Sequence, residues 1–286
     1  MDPDLVIFGA LHRDLVGVLA SAYHPAASNP VHFTLGTGGV GANVARAVVR
    51  SKQVESVCLV VPVGAEGLSP DLAATGFEGI DICPVAVPAT SAGRYVAIVD
   101  SNGDLVSGFS DTSACESAEL VPLISECPPG VRTVVLDANL SQTTLKGLAT
   151  SLPILRFALA VSPSKAPRLI PVAKQIDTLF CNRREAAAMT GLPTDSASDA
   201  LATTLLSIGF TGLVLTDGAA AVTVCEDGKV SSIETPVLTR APGGNANGAG
   251  DALAGATIAA CHAGMTLGDA VAGPGFKAAA QAMEQG

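Results

Sequence analysis

The sequence predicts an α/β protein built on a mostly parallel sheet with helices packed on its faces. Three observations predict it. Short apolar runs alternate with helical patterns, glycine and alanine are abundant enough for close helix–sheet packing, and Asp137, Asn182 and Asp217 each follow an apolar run. Carboxyl ends of parallel strands are where such sheets hold their ligands.

Taken in order, the expected buried strands are Leu5–Gly9, Val57–Val63, Thr133–Asp137, Phe157–Val161, Thr178–Cys181 and Leu213–Thr216. The expected helices are Ala42–Arg50, Gln142–Ser151, Arg184–Thr190 (closed by Gly191), Ala197–Ser207, Ala249–Ala263 and Leu267–Met283. Residues 12–35 and 89–110 break this rhythm: they alternate, carry turn signals and lack a helical period. Arg94–Val99 and Asp104–Ser110 flank Asn102-Gly103, a strong hairpin cue. These stretches read as a small β-rich flap on one α/β unit spanning 1–286, with ordinary surface loops as the other reading.

Composition narrows the function classes. With 286 residues, 48% hydrophobic and 15% charged, the chain has material for a large core. A net charge of −10 argues against nucleic-acid binding, which needs a basic footprint. It does not argue against a small phosphorylated ligand, since backbone amides and Mg²⁺ supply a local positive field. Aromatics at 3% and no Trp speak against base stacking on aromatic platforms. The 7 cysteines are scattered without a C-x-x-C pair, so free buried thiols in a reducing compartment are expected. Met1-Asp2-Pro3-Asp4 lacks the basic start of a signal peptide, and the apolar run Ala252–Ala260 is too short to span a bilayer. The expectation is a cytoplasmic protein with neither nucleic-acid nor membrane partners.

The most informative segment is Gly243-Gly244-Asn245-Ala246-Asn247-Gly248-Ala249-Gly250-Asp251, running straight into a helical pattern. Small residues at a helix start let successive N–H groups converge where the dipole favours negative charge. Asp251 falls in that first turn, where it can take a proton while the amides stabilise a transferred anionic group. By itself the segment also reads as an Asp complementing a helix dipole. Likewise Gly38-Gly39 reads as a turn and Asn43 as an early-helix polar residue, and Asn182 with Glu185 reads as a capping box.

Together these segments resemble the ribokinase-like (PfkB) carbohydrate kinases. Asn247-Gly248-Ala249-Gly250-Asp251 is similar to the family's C-terminal signature, Gly38-Gly39-Val40-Gly41-Ala42-Asn43-Val44-Ala45 to its N-terminal one, and Asn182-Arg183-Arg184-Glu185 to its Asn-x-x-Glu element. The resemblance implies a ribokinase-like fold with a β-rich lid and ATP as phosphoryl donor. It implies Asp251 as the base, with Gly248, Ala249 and Gly250 around the migrating group. Asn182, Thr216, Asp217, Gly218 and Asn247 would border the nucleotide, and Glu185 would act on Mg²⁺ through water. A monovalent cation and a homodimer through the lid are compatible with it. Because the chain ends soon after its last helix, one wall of the adenine pocket is expected to be short or borrowed.

Within the family, the chain resembles the pseudouridine kinases over most of its length. The matching segments are Ser28-Asn29-Pro30, Tyr95–Asp100 with Gly103–Val106, Leu136-Asp137-Ala138-Asn139-Leu140, and Val161–Ala166 followed by Thr178–Asn182. The resemblance implies phosphorylation of a ribosyl 5′-hydroxyl. The acceptor would be held by Asp14, Gly38, Gly39, Asn43, Ser28, Asp137 and Asn139, with Lys165 reaching a carbonyl of the base. Lys165 also reads as a solvated lysine at a helix start, and Ser28 as a loop residue. Three departures stand out. Gly9-Ala10 replaces two glycines and puts a methyl near the sugar, Arg13 adds a charge beside Asp14, and Thr216-Asp217-Gly218-Ala219-Ala220-Ala221 ends without the expected glycine. Asp217 thereby brings negative charge toward a polyphosphate. Other acceptors (ribose, adenosine, inosine) and a non-catalytic nucleoside-binding relative remain open. A glycine-rich oxidoreductase would need G-x-G-x-x-G after the first strand, which Gly9–Asp14 does not provide.

Overall fold

The computed structural model describes residues 3–65, 67–68, 76–88, 93–103, 105–116, 130–151, 155–237 and 248–285. Leu5–Phe8 forms β1, whose alternate side chains are buried on both faces, as a central parallel strand requires. Leu5 and Ile7 face a cluster with Leu59, Val61, Ala45, Val48, Leu253 and Ile258; Val6 and Phe8 face another with Leu136, Leu145, Leu169, Ala186 and Leu201. One sheet thus separates two apolar layers, each closed by helices.

The sheet has nine strands. In chain order they are β1, then β4 (Val57–Val63), β5 (Ile80–Ala86), β8 (Thr133–Asp137), β9 (Leu155–Leu159), β10 (Thr178–Asn182), β11 (Leu213–Thr216), β12 (Val222–Glu226) and β13 (Lys229–Ile233). Spatially the order is β13-β12-β11-β10-β9-β8-β1-β4-β5, with neighbours parallel except for the antiparallel pairs β11–β12 and β12–β13. The chain leaves β1 toward β4 and β5 and returns to pair β8 on its other side, so the strand order reverses beside β1. Ligand crevices form at such a reversal.

Helix α1 (Val40–Ser51) and α5 (Ala249–His262) pack together on one face, where a Cβ at Gly255 would lie 2.7 Å from the carbonyl oxygen of Val44. The other face carries α2 (Gln142–Ser151), 3-10 turns over Ala166–Gln175, α3 (Arg183–Thr190) and α4 (Ser198–Ile208). The single helix expected over Leu267–Met283 is broken. A short α6 (Leu267–Ala270) leads into a wide π-type turn at Val271–Gly275 and then α7 (Phe276–Gln285). Pro274, flanked by Gly273 and Gly275, supplies no N–H to an α-helical ladder.

A second sheet of four strands, ordered β3-β2-β6-β7, projects from the first. Its strands are β2 (His12–Leu19), β3 (Val31–Gly38), β6 (Arg94–Val99) and β7 (Leu105–Asp111). The Asn102-Gly103 cue marks the β6–β7 hairpin, which is antiparallel with an irregularity at Ile98/Val99. Strands β5, β12 and β13 were not anticipated. β5 runs through Pro84 without a break in register, which is tolerable because β5 lies at the sheet edge. The β12–β13 hairpin turns on Asp227 (φ 50°) and Gly228 (φ 74°), an Asp-Gly signal present in the sequence. The run expected at Phe157–Val161 ends at Leu159, and Val161 adopts φ 70°, unusual for a β-branched residue.

Candidate active site

Asp137, expected to touch a substrate, is instead fully buried and spends its carboxylate on the backbone. Its Oδ2 accepts from the N–H groups of Ala10 and Gly41, each at 3.0 Å, and its Oδ1 accepts from Asn139 N–H at 2.8 Å. These bonds offset the cost of burying the charge and tie the end of β8 to the end of β1 and the start of α1. Space for this is made by glycine: a Cβ at Gly9 would stand 2.7 Å from Asp137 Oδ2. Gly39, at φ 110°, could carry no side chain without striking the carbonyl of Ala10, and a Cβ at Gly38 would strike the Asp14 carboxylate. Ala10 is 2% exposed and joins the core, so its methyl is not turned toward a sugar as expected.

Three cavities meet around the N-terminus of α5. The first, of about 470 Å³, lies under the small sheet and is lined by residues including Asp14, Gly39, Asn43, Asn139, Lys165 and Asp251. A second, of about 300 Å³, runs past Asn182, Glu185, Thr216, Gly248, Gly250 and Asp251. The third, of about 480 Å³, is mostly apolar and bounded by Thr216, Gly218, Val222, Val237, Phe276 and Met283. Gly248 and Asp251 belong to the first two cavities, Thr216 and Gly250 to the last two.

Gly248 caps α5 in the left-handed region (φ 85°) with no side-chain cap, and the first turn of the helix borders the cavities through Gly248, Gly250 and Asp251. Asn43 Nδ2 donates to Asp251 Oδ2 at 2.9 Å, while Asn43 Oδ1 accepts from Arg46 at 2.9 Å. Arg46 in turn bonds Thr37 and Gly76 and lies 4.2 Å over the Phe77 ring. Burial pushes the Asp251 carboxyl up to about 7; the Asn43 bond pulls it down, and the charges of Asp137 and Glu185 push it further up. A carboxylate with that affinity exchanges protons readily near neutrality.

Glu185 and Asn182 form the capping box expected of them: Asn182 N–H donates to Glu185 Oε2 at 2.8 Å, and Glu185 N–H donates to Asn182 Oδ1 at 3.0 Å. Glu185 is 6% exposed, and burial raises its carboxyl above the ordinary range. The cavity it shares with Asp251 has two carboxylates and, among its described lining residues, neither Lys nor Arg. Two carboxylates facing a polyphosphate would call for a compensating cation, and their oxygen donors are of the kind that fits Mg²⁺.

In the cavity beneath the small sheet, register sets the lining. Asp14 stands opposite Tyr95, and Tyr95 opposite Ser110, so one row of side chains shares one face. Asp14 Oδ1 is 2.7 Å from His12 Nδ1. Burial and the nearby Asp14 push the Tyr95 hydroxyl up. Lys165 Nζ donates to Asn139 Oδ1 at 2.6 Å and Thr112 Oγ1 at 2.9 Å, and burial holds its ammonium below the usual range. His12, Tyr95, Ser110 and Thr112 were not anticipated. The period-two alternation across the hairpin was a signal that could have found Tyr95 and Ser110.

Other expected residues stand elsewhere. Ser28 is exposed in the β2–β3 connection, and that connection leaves the sheet at Leu19 and Val31, the end of the ladder remote from Asp14. Arg13 alternates with Asp14 and so points to the opposite face of the small sheet. Asp217 lines none of the three cavities; its carboxylate meets Arg183 Nε at 2.8 Å, which answers the charge problem its position posed. Asn247 lies outside the described residues.

The family model for pfkB family carbohydrate kinases matches residues 2–285. Among solved structures, the chain is similar to a carbohydrate kinase from Agrobacterium tumefaciens, with 27% identity and a TM-score of 0.76 over 98% of this chain and 90% of that one. It is similar in fold to a ribokinase from Cryptococcus neoformans in complex with ADP, with 21% identity and a TM-score of 0.75 over 99% and 94% of the two chains. An adenosine kinase from Anopheles gambiae shares the fold at 16% identity and a TM-score of 0.74 over 99% and 96%. No curated protein matches the sequence significantly. No helix among the described residues is long and apolar enough to cross a membrane. With its sheet, its glycine-lined crevice and nearly its whole length accounted for by one family model, this chain belongs to the pfkB family of carbohydrate kinases.

Proposed function

We propose that the chain transfers the γ-phosphoryl group of ATP to the 5′-hydroxyl of a ribosyl acceptor, and that the acceptor is pseudouridine. The observation that carries this reading is the place of Asp251, where the polar cavity under the small sheet meets the cavity leading to the apolar one. A hydroxyl held by Asp14 and Asn43 would lose its proton to Asp251 as its oxygen bonds to the γ-phosphorus and the bond from that phosphorus to the bridging oxygen breaks, releasing ADP. The leading amides of α5, around Gly248–Gly250, face the group being transferred and stabilise its charge. The apolar cavity by Val222, Val237 and Phe276 suits an adenine ring, with Thr216 and Gly218 at its edge. Glu185 and Asn182 would hold Mg²⁺ through water. Bound there, the cation would neutralise the donor's phosphate charge. The four-stranded sheet would act as a lid that excludes water.

The pseudouridine reading rests on the sequence resemblance and on Lys165, whose ammonium lines the acceptor cavity beside Asn139 and Thr112 and could meet a base carbonyl. Ser28, which the same resemblance places at the substrate, lies outside that cavity, and this favours a second reading in which the acceptor is another sugar or nucleoside. On the outer face of the small sheet Phe33, Leu35 and Phe109 are 53%, 64% and 63% exposed, and a second copy of this chain would cover them.

The test is ATP-to-ADP conversion with pseudouridine, uridine, ribose, adenosine and inosine offered separately. Turnover with pseudouridine and not with uridine or ribose is expected. Turnover with another acceptor alone would replace the substrate, and silence across the panel with bound nucleoside would replace catalysis by binding.

A further inference from the structure

Cys58 and Cys83 lie on the neighbouring parallel strands β4 and β5, where Cys58 stands opposite Asp81 and Val60 opposite Cys83. All four residues share one face of the sheet, because side chains alternate along each strand. The two sulfurs are 3.0 Å apart, with the Cys58 thiol donating to Cys83 Sγ. The Cys83 thiol donates in turn to Asp81 Oδ2 at 3.9 Å. Cys58 is 5% exposed, whereas Cys83 is half-buried on an edge strand beside the exposed Asp81. One sulfur is therefore reachable from solvent and the other waits behind it. Burial and the adjacent sulfur push the Cys58 thiol up.

Separation decides what this pair can become. The same three side chains could face a metal, their ligand atoms lying within 4.8 Å of one another. Two thiolates about 2.3 Å from one tetrahedral Zn²⁺ stand roughly 3.8 Å apart, wider than the 3.0 Å observed. A disulfide bond is about 2.05 Å, so the sulfurs need to approach by only about 1 Å.

We propose that Cys58 and Cys83 are a site of reversible oxidation, at which a peroxide converts the two thiols into an intrachain disulfide that ties the edge strand β5 to β4. Cys83, its proton released to solvent, attacks a peroxide oxygen. The O–O bond breaks, Cys83 becomes a sulfenic acid, and the departing hydroxide leaves as water. Cys58 then attacks the Cys83 sulfur, the S–O bond breaks, and hydroxide with the Cys58 proton leaves as a second water. Two thiols lose two electrons in all, and one hydrogen peroxide is reduced to two waters. The bond closes a span of 25 positions containing Gly76 and Phe77, which hold Arg46.

The experiment treats the folded full-length chain with hydrogen peroxide, quenches it by alkylation under native conditions, and maps the peptides by mass. Expected are a loss of about 2 Da from the unalkylated chain, a linked peptide pair containing Cys58 and Cys83, reversal by dithiothreitol, and a higher unfolding temperature in the oxidised form. The Cys83→Ser variant should keep Cys58 alkylatable after denaturation, and Cys58→Ala should leave a Cys83 sulfenic acid that dimedone captures. Unlinked Cys58 and Cys83 after peroxide, or a linkage through other cysteines, would overturn the proposal. So would a bond that forms only once the chain has been denatured.

Discussion

Asn43 and Asp251, 208 positions apart in the chain, are joined by one hydrogen bond of 2.9 Å between the N-terminal turns of α1 and α5. That bond favours the charged form of Asp251 against a desolvation that disfavours it, and desolvation is the larger effect. Since the free-enzyme affinity governs kcat/KM, kcat/KM should rise with pH along an acid limb centred near 7. Replacing Asn43 by Ala removes a contribution that lowers the carboxyl's proton affinity, so the limb should move to higher pH. A profile measured for both forms checks this, and a limb that stays in place in Asn43→Ala would separate it from Asp251.

Asp251→Asn should cost about 10²- to 10⁴-fold in kcat, the usual worth of a general base, with nucleotide binding retained. Stability should change in the opposite sense. The folded protein holds this proton up to about 7, above the ordinary value of 3.8. Stability tied to the protonated form is complete below 3.8 and is lost as pH rises through about 7. The neutral amide avoids that loss, so Asp251→Asn should unfold at a higher temperature than the parent at pH 8, with a smaller gain at pH 5. Thermal melts at both values provide the check.

Two glycines should respond in opposite ways. Among the described residues a Cβ on Gly250 meets nothing within 4 Å, and Ala is the better helix former, so Gly250→Ala should fold with a melting temperature no lower than the parent's. Its methyl would stand in the space shared by two cavities, and KM for ATP should rise. Gly39→Ala adds left-handed strain and a collision with the Ala10 carbonyl, and should destabilise the protein by about 2 kcal/mol or more. Denaturant midpoints and steady-state kinetics distinguish the two.

The Arg183–Asp217 pair makes a double-mutant prediction. Removing Arg183 leaves the Asp217 carboxylate uncompensated between Thr216 and Gly218, both of which line the proposed nucleotide side. For a partly exposed pair, KM for ATP should rise about two- to fivefold in Arg183→Ala. Adding Asp217→Asn should return most of that loss; if it does not, the damage lies in the contacts of Arg183 with Thr194 and Ser198 instead.

Lys165→Met keeps the length of the side chain and removes its charge. KM for the nucleoside should rise while KM for ATP stays put, because of the three cavities described Lys165 lines the one under the small sheet. Equal rises in both would place its effect on the shared helix α5.

Where the sequence carried the argument, it did so through local chemistry. Hydrophobic runs located the central strands because a strand buried on both faces has nowhere to put polar residues. The Asn-Gly pair located the β6–β7 hairpin, and the Asn182–Glu185 spacing located a capping box, because each depends on residues within a few positions of one another. The segment around Gly248–Asp251 marked a helix N-terminus ready for an anion, for the same reason.

What the tertiary structure decided was which of those residues face one another. Asp137 reads as a site residue because it ends a strand, yet the reversal of strand order at β1 brings two backbone amides onto its carboxylate and buries it. Arg13 and Asp14 are neighbours in the chain, but the pleat sends them to opposite faces of the small sheet. Tyr95 and Ser110 line the cavity under the small sheet only because the register of two ladders aligns them with Asp14. The nature of Asp251 itself could not be read locally: its proton affinity comes from burial, from Asn43, and from the charges of Asp137 and Glu185, all delivered by distant segments. The sequence determined that an acid stands at the start of that helix; packing, by desolvating its carboxylate and setting Asn43, Asp137 and Glu185 around it, raised its proton affinity toward neutral pH.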